Sequence, residues 1–149
     1  TDQNFKSIVG GVFVTYYPQI FDGQVDYICR GEGDEVIPEL MDLISDNKDG
    51  HHLANIYPND MRPAIDVNTL PSTDHEIFDK RSLYRPFQGR IIKVATVETQ
   101  RGCPFRCKFC NSPSNARLYK EETDSLFFRQ RSVEHIEKEI QHLIKTIDV

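Results

Sequence analysis

Residues 99–110, TQRGCPFRCKFC, form the stretch around which the rest of this chain is organised. Three of the four cysteines, Cys103, Cys107 and Cys110, stand in it at spacings of four and three residues. Thiolates this close together offer a compact set of soft ligands, which suits an iron–sulfur cluster or zinc. Electron-transfer clusters and closed structural zinc sites both take four protein ligands. Three cysteines in one loop would therefore leave one iron of a 4Fe-4S cluster free to bind a substrate or cofactor.

This loop closely resembles the cluster-binding loop of radical SAM enzymes in its cysteine spacing, its Arg-Gly-Cys-Pro lead-in and its aromatic residue before the last cysteine. The resemblance implies that Cys103, Cys107 and Cys110 bind a 4Fe-4S cluster whose open iron chelates S-adenosyl-L-methionine. It implies that an electron donor then drives cleavage of this cofactor to a 5′-deoxyadenosyl radical, which abstracts hydrogen from a small-molecule substrate. It also implies that Phe109 packs near the adenine.

The residues beside the three cysteines suit a negatively charged cluster. Gly102 would let the backbone approach the cluster closely. Three basic side chains would offset its charge: Arg101, Arg106 and Lys108.

Zinc is one alternative to an iron–sulfur cluster, with His135 or a more distant histidine as a fourth ligand, and a disulfide is the other. Cys29 lies in the apolar run VDYIC, which predicts a small buried side chain.

The composition sets broad limits on the kind of protein. At 149 residues the chain is long enough for one domain or parts of two. No apolar run approaches the ~20 residues that a membrane helix needs. A net charge of −5 argues against a nucleic-acid-binding surface, which usually carries a basic patch. Clustered, reduced cysteines are typical of the cytosol, so we expect a cytoplasmic chain. From the short apolar runs and the negative charge, we expect neither a membrane nor a nucleic-acid partner.

The first 46 residues show the pattern of a parallel α/β sheet. The apolar pair at residues 8–9 runs into Gly10 and Gly11, which predicts the end of a buried strand and a tight turn. A second strand is predicted over residues 25–29, and a helix over about 35–45 with Asp34 as its N-cap. Such a strand, turn, strand and helix make half of a doubly wound sheet, which binds ligands at the carboxyl ends of its strands.

Residues 10–44, GGVFVTYYPQIFDGQVDYICRGEGDEVIPELMDLI, also resemble the end of the cobalamin-binding domain that precedes many radical SAM barrels. The resemblance implies that Gly10 and Gly11 line the slot for the nucleotide tail of cobalamin. It places Gly31 and Gly33, in the next turn, at the same edge. The steric reason is that only glycine lets a bulky ring system lie against the backbone. Cobalamin is therefore an expected cofactor of the longer protein.

Residues 47–90 are predicted to be a linker, because they are rich in Asp, Asn, Pro and His. Two short extended segments are expected within it, at residues 52–57 and 64–67. Three large side chains are expected to anchor its end: Leu83, Tyr84 and Phe87.

Residues 91–149 are predicted to start a barrel. The β-rich run at residues 91–97 leads into the cysteine loop as a first barrel strand would, and barrel active sites lie at the carboxyl ends of strands. Residues 111–131 are polar and expected to be partly mobile. Ser132 is predicted to cap a helix that runs to about Lys145. Its apolar stripe consists of Val133, Ile136, Ile140, Leu143, Ile144 and Ile147.

Together these patterns predict an α/β fold in three parts. Residues 1–46 would be the C-terminal piece of a Rossmann-like cobalamin-binding-type domain, residues 47–90 the linker, and residues 91–149 the first βα unit of a partial TIM-type radical SAM barrel. The predicted function is that of a radical SAM enzyme fragment, with methyl transfer or a rearrangement as the reaction. No general acid or base is predicted, because such residues would lie on later strands.

Two alternative functions stay open. A radical SAM methylthiotransferase that acts on RNA shares the cluster loop but carries a further three-cysteine set upstream, where only Cys29 stands here. A non-enzymatic zinc-binding module would use the same thiols. Because the predicted strands lack the neighbours of complete sheets, we also expect the chain to self-associate.

Overall fold

The computed structural model describes residues 5–147 as a mixed α/β chain with three two-stranded sheets, and these residues form no closed barrel. The chain divides into two units. The first unit contains the described residues up to Ile65 together with Phe105–Phe127, and the second contains Asp66–Pro104 with the described residues from Phe128 onward. The α/β class is as predicted, and the three predicted domain ranges stay predictions. No helix within residues 5–147 is both long and apolar enough to cross a membrane.

A parallel pair of strands lies in the first unit. Strand β1 (Ile8–Val9) pairs with β2 (Tyr27–Ile28), with Ile8 opposite Tyr27 and Val9 opposite Ile28. Helix α1 (Val12–Tyr16) and a 3₁₀ turn (Pro18–Phe21) form the crossover between them. Both predicted strands are confirmed, although β2 is shorter than the predicted range. In place of the predicted tight turn, a bend at Gly11 leads directly into α1.

Helix α2 (Val36–Ser45) packs against this pair of strands. Val36 and Leu40 are fully buried in one apolar cluster with Tyr27. The predicted helix is confirmed, but its predicted cap at Asp34 is wrong. The cap residue is Glu35, whose backbone is already helical and whose side chain makes no capping hydrogen bond.

The prediction of two extended segments in the linker, at residues 52–57 and 64–67, is wrong. These residues form turns, one isolated bridge and irregular backbone. Asn55 explains the difference at residues 52–57, because it is buried with a φ of 71° and bends the chain. Its Nδ2 donates to the Glu32 carbonyl at 2.7 Å, and its backbone carbonyl accepts from the Arg30 amide at 2.8 Å. The side chain and the backbone of one turn residue therefore make bonds that a neighbouring strand would have made.

The second unit contains a β-hairpin. Strands β3 (Tyr84–Phe87) and β4 (Arg90–Lys93) pair antiparallel around a two-residue turn with φ of 48° at Gln88 and 73° at Gly89. Two consecutive residues with positive φ match the twist of a hairpin and turn the chain back on itself. The predicted strand over residues 91–97 is therefore confirmed only as far as Lys93, where it pairs with the segment just before it. Its place in a barrel stays a prediction.

This hairpin is largely exposed. Among the three side chains expected to anchor the linker, Leu83 is buried and Tyr84 and Phe87 are exposed. Ile91 on β4 is 77% exposed. The apolar run at residues 91–92 is thus not buried on both faces, as a strand of a parallel barrel would be.

Helix α4 (Val133–Ile147) follows its predicted cap, because Ser132 Oγ accepts from the His135 amide at 3.2 Å. Leu143 and Ile147 are buried against Leu83. The cap and the helix are confirmed, whereas the apolar stripe is only partly covered. Three of its side chains are exposed: Val133, Ile140 and Ile144.

Part of the segment predicted to be mobile forms helix α3 (Ser112–Thr123) in the first unit. Pro113 lies in its first turn, where a missing N–H costs no helical hydrogen bond. Asp124 ends the helix in the left-handed conformation, with φ of 53°. The remainder of the segment includes β6 (Arg129–Gln130), which pairs antiparallel with β5 (Gln100–Arg101) in the second unit.

Candidate metal centre in the cysteine loop

The thiols of the three loop cysteines are free and differ in exposure. Cys107 and Cys110 are exposed, and Cys103 is half-buried. Cys29 is buried in the core of the first unit, and this burial raises the pKa of its thiol. A buried, protonated thiol packs as a small apolar group, as predicted. Because all four thiols are free, the disulfide alternative gains no support.

Among residues 5–147, no group of three or more His, Cys, Asp or Glu side chains is arranged to hold a metal ion. The roles of the three thiols and of His135 as ligands therefore stay predictions. The boundary between the two units lies inside the loop. Cys103 belongs to the second unit, and Cys107 and Cys110 belong to the first.

The Cys110 arm (residues 107–112) is a tight turn that leads into helix α3. The Cys110 amide donates to the Cys107 carbonyl at 3.1 Å, which turns the chain between the two thiols. The Ser112 amide donates to Cys110 Sγ at 3.4 Å. Ser112 is the first residue of α3, and the free amides at a helix N-terminus favour negative charge. Cys110 Sγ thus accepts a hydrogen bond from the first amide of α3.

Tyr119 docks helix α3 against the turn that follows β2. Its ring is buried, with its centroid 5.3 Å from that of Phe127. Its Oη lies 2.9 Å from the position that a Cβ atom would take at Gly31, where φ is 69°. A side chain at Gly31 would therefore be strained and would clash with Tyr119. The space beside Gly31 is therefore filled by the side chain of Tyr119.

Polar contacts hold α3 to the same part of the first unit. Tyr16 Oη donates to Asn115 Oδ1 at 2.8 Å, and Asn111, the residue after Cys110, donates to the same oxygen at 3.0 Å. Further along the helix, Arg30 Nη2 contacts both carboxylate oxygens of Glu122, at 2.8 and 2.9 Å. Because Arg30 directly follows the β2 region, these contacts tie the Cys110 arm to the edge where parallel sheets bind ligands.

The other glycines predicted to face cobalamin differ in the space around them. A Cβ atom at Gly33 would lie 3.1 Å from Ile37 Cγ1, and one at Gly10 would make ordinary contacts with Cys29 at 3.5 and 3.6 Å. Gly11 has φ of 99° and no atom within 4 Å of such a position. Of the four, Gly11 therefore borders open space, and the cofactor-binding role of all four stays a prediction.

The backbone of the Cys103 arm (residues 98–103) is hydrogen-bonded to Arg131, which lies shortly before helix α4. The Arg131 amide donates to the Thr99 carbonyl at 3.0 Å, and Arg131 Nη1 donates to the Glu98 carbonyl at 2.8 Å. Both acceptors lie within five residues of Cys103. The backbone that leads to the half-buried thiol is thus fixed within the second unit.

The remaining predicted residues of the loop are mostly exposed. Phe109 is 94% exposed, and its role beside an adenine stays a prediction. Gly102 has φ of 83°, a conformation that other residues rarely adopt. Arg101 Nη2 contacts Glu98 Oε2 at 3.1 Å, so part of its charge is already compensated. Two basic side chains are exposed: Arg106 and Lys108.

Sequence reasoning missed Glu139, which is 0% exposed and forms an ion pair with Arg131. Glu139 lies three residues after Ile136 and four before Leu143, a spacing that places it on the inward face of α4. Helical periodicity predicts an apolar side chain there. A charged residue at such a position is the signal that could have revealed the pair.

No protein-family model matches this chain, and no solved structure matches it. Among curated proteins, the chain is 26% identical to an uncharacterised methyltransferase of Pyrococcus horikoshii over 163 aligned residues, which cover 97% of this chain and 34% of the relative. It is 26% identical to the bacteriochlorophyllide d C-8(2)-methyltransferase of Chlorobaculum tepidum, with 83% of this chain and 26% of the relative covered. It is also 26% identical to the anaerobic magnesium-protoporphyrin IX monomethyl ester cyclase of Rubrivivax gelatinosus, with 96% and 26% covered.

These relatives are all enzymes by name, two of them methyltransferases and one a cyclase. The similarity extends over most of this chain. The chain itself spans only 34% of the first relative and 26% of the other two. This chain is therefore related to part of larger enzymes.

Proposed function

We propose that this chain contributes the cluster-binding loop of a radical SAM enzyme, with Cys103, Cys107 and Cys110 as ligands of a 4Fe-4S cluster. The observation that carries the proposal is the set of three free thiols at spacings of four and three residues, with the last one at the start of a helix. The relatives support it, because methyl transfer and ring closure are reactions of the kind expected for the longer protein.

The chemistry of the donor set fits such a cluster. Thiolates are the usual ligands of iron–sulfur clusters, and all three loop thiols are free to become thiolates. The Ser112 amide and the N-terminus of α3 favour negative charge at Cys110. A closed zinc site needs four protein ligands, one more than the three thiols of this loop supply.

When bound, the cluster supplies the electron that cleaves S-adenosyl-L-methionine into methionine and a 5′-deoxyadenosyl radical. The residues of this chain would hold and shield it. The three thiolates would bind iron, Gly102, with its φ of 83°, would let the backbone approach the cluster, and the exposed ring of Phe109 would be available to cover the adenine. An electron donor and a small-molecule substrate are the proposed partners.

The relatives' names include two kinds of reaction, methyl transfer and cyclisation. The reaction that would follow the cleavage of S-adenosyl-L-methionine is therefore left open between these two kinds. For cobalamin the described residues fit less well, because Gly31 and Gly33 face Tyr119 and Ile37 and only Gly11 borders open space. Cobalamin therefore has no part in the proposed reaction of this loop.

The test is anaerobic reconstitution of the chain with iron and sulfide. We expect about four iron and four sulfide ions per chain. Reduction should give the electron paramagnetic resonance signal of a 4Fe-4S cluster, and addition of S-adenosyl-L-methionine should change its shape. Cys107→Ala should prevent assembly because it removes one ligand.

Cys29→Ala is the matched control, since it removes a buried thiol that the proposal does not use. This variant should bind the same amount of iron as the unmodified chain. A complete cluster in Cys107→Ala, or one tightly bound zinc ion per chain in place of iron, would refute the proposal.

A further inference from the structure

The second unit contains a buried ion pair whose role the proposed function does not explain. Glu139 is fully buried, and its carboxylate contacts the guanidinium of Arg131, which is itself nearly buried. Its other oxygen accepts from the Thr73 amide at 3.4 Å. A buried ion pair usually contributes no more stability than well-packed apolar residues of the same volume. Stability alone is thus a weak reason for this pair.

The bonds of Arg131 lead to the cysteine loop. Its amide donates to the Thr99 carbonyl and its Nη1 to the Glu98 carbonyl, so one residue makes two bonds to the backbone before Cys103. Among residues 5–147, its Nε and Nη2 have no hydrogen-bond partner. The described contacts of this side chain are therefore with Glu139 and with the base of the Cys103 arm.

Glu139 determines how Arg131 can make these contacts. Glu139 Oε2 contacts Nη1 of Arg131, the same nitrogen that donates to the Glu98 carbonyl. Glu139 is anchored in the middle of α4, and the cluster of Leu143, Ile147 and Leu83 holds that helix in the second unit. The carboxylate thus holds Nη1 beside the Glu98 carbonyl.

We propose that Arg131 and Glu139 are positioning residues for Cys103, which hold the backbone of the Cys103 arm so that its thiol is presented in one orientation. This inference rests on the proposed function, in which the Cys103 thiol is a ligand of the cluster. The difference in exposure between Cys103 and the other two thiols agrees with it, because the arm held by the pair is the half-buried one.

The test uses the metal-free chain and needs no activity. Arg131→Met combined with Glu139→Leu replaces the pair by apolar side chains of similar size, which is expected to preserve the fold. The rate of alkylation of each cysteine is then measured by peptide mass spectrometry. We expect the rate at Cys103 to rise about threefold to tenfold, the effect of losing one hydrogen bond, and the rates at Cys107 and Cys110 to change by less than about twofold.

The matched control is Glu137→Leu with Lys138→Met, which makes the same changes of charge at exposed positions of the same helix. It should leave all three rates unchanged. If the apolar double variant does not fold, Glu139→Gln replaces it, because this change keeps the shape of the side chain and removes its charge. A rise at Cys103 is expected there too.

The result can be separated from a failure of the proposed function. An unchanged rate at Cys103 in a folded variant, or an equal rise at all three thiols, would overturn the positioning role. Loss of cluster formation in the unmodified chain would refute the proposed function and leave the alkylation result intact. In a chain that does assemble the cluster, we expect the apolar double variant to lose iron to a chelator about threefold to tenfold faster.

Discussion

The strand Tyr27–Ile28 and the run at residues 91–92 are two apolar segments with similar side chains and opposite surroundings. Ile28 is 5% exposed, whereas Ile91 is 77% exposed. The first segment pairs in parallel with β1, and helix α2 packs against that pair. The second pairs antiparallel with the segment just before it, and most of its hairpin is exposed.

This difference shows that two separate causes produce strands here. In the first unit, burial of apolar side chains beneath α2 stabilises the pairing. In the second unit, the backbone conformation of Gln88 and Gly89 brings two neighbouring segments together with little burial. The run of apolar residues is thus a good predictor of a strand and a poor predictor of what covers it.

The largest expected effect tests burial directly. Leu40→Ala removes a fully buried side chain beside β2 and should lower the free energy of unfolding by about 2–5 kcal/mol. Ile91→Ala removes an exposed side chain and should lower it by less than about 0.5 kcal/mol. Urea unfolding followed by circular dichroism measures both. Similar losses would contradict the contrast in burial.

The next effect concerns the buried turn at Asn55. Asn55→Ala leaves the Glu32 carbonyl and the Arg62 amide without their side-chain partner. Asn47→Ala is the control, because Asn47 is exposed and has a similar φ of 56°. We expect Asn55→Ala to destabilise the chain by about 1–3 kcal/mol more than the control. Equal effects would mean that only the backbone conformation matters at residue 55.

A pH-dependent effect distinguishes the parallel pair from the hairpin. The amide and hydroxyl of Ser7, together with Lys6, hold the pKa of Asp26 at about 2. Because this folded-state pKa is below the ordinary value of 3.8, the stabilisation is present above about pH 4 and is lost as the pH falls through about 2. Asp26→Asn should abolish this dependence, as measured by urea unfolding across that range. Ser7→Ala should reduce it, and an unchanged slope in Asp26→Asn would contradict the assignment.

The smallest expected effect sharpens the account of the hairpin. Gln88→Asn places a residue that, after glycine, best tolerates a positive φ at a position with φ of 48°, and should stabilise the chain by about 0.5 kcal/mol. Gln88→Val should destabilise it, because a β-branched side chain is strained there. Thermal unfolding of the two variants measures the difference. Equal stability would mean that the turn does not determine the pairing.

Local patterns predicted what depends on near neighbours in the sequence. The pair at residues 8–9, the helix Val36–Ser45 and the cap at Ser132 followed from apolar periodicity and capping chemistry. The hairpin was missed because its Gln-Gly turn is a weaker signal than Asn-Gly. The turn at Asn55 was missed because its partners lie up to 25 residues away, as the bond to Arg30 shows.

The candidate site likewise combines features that the local sequence predicted with features that depend on distant residues. The cysteine spacing, together with the resemblance of the loop to that of radical SAM enzymes, predicted the three thiols as ligands. Their supports depend on distant residues and could not be predicted: Glu139 fixes Arg131, and Tyr119 fixes α3. Helix α3 is polar, so its own sequence gave little sign of packing, and its stability comes from contacts with the first 65 residues.

The contact of Tyr119 with Gly31 has a consequence for how such sequences can vary. Any side chain at residue 31 would occupy the space that the phenol ring fills. A substitution at either position alone would be selected against, whereas a paired change, a larger residue at 31 with a smaller one at 119, would be tolerated wherever the turn can adopt a negative φ. Among related chains these two positions are therefore expected to covary, although 88 residues separate them in the sequence.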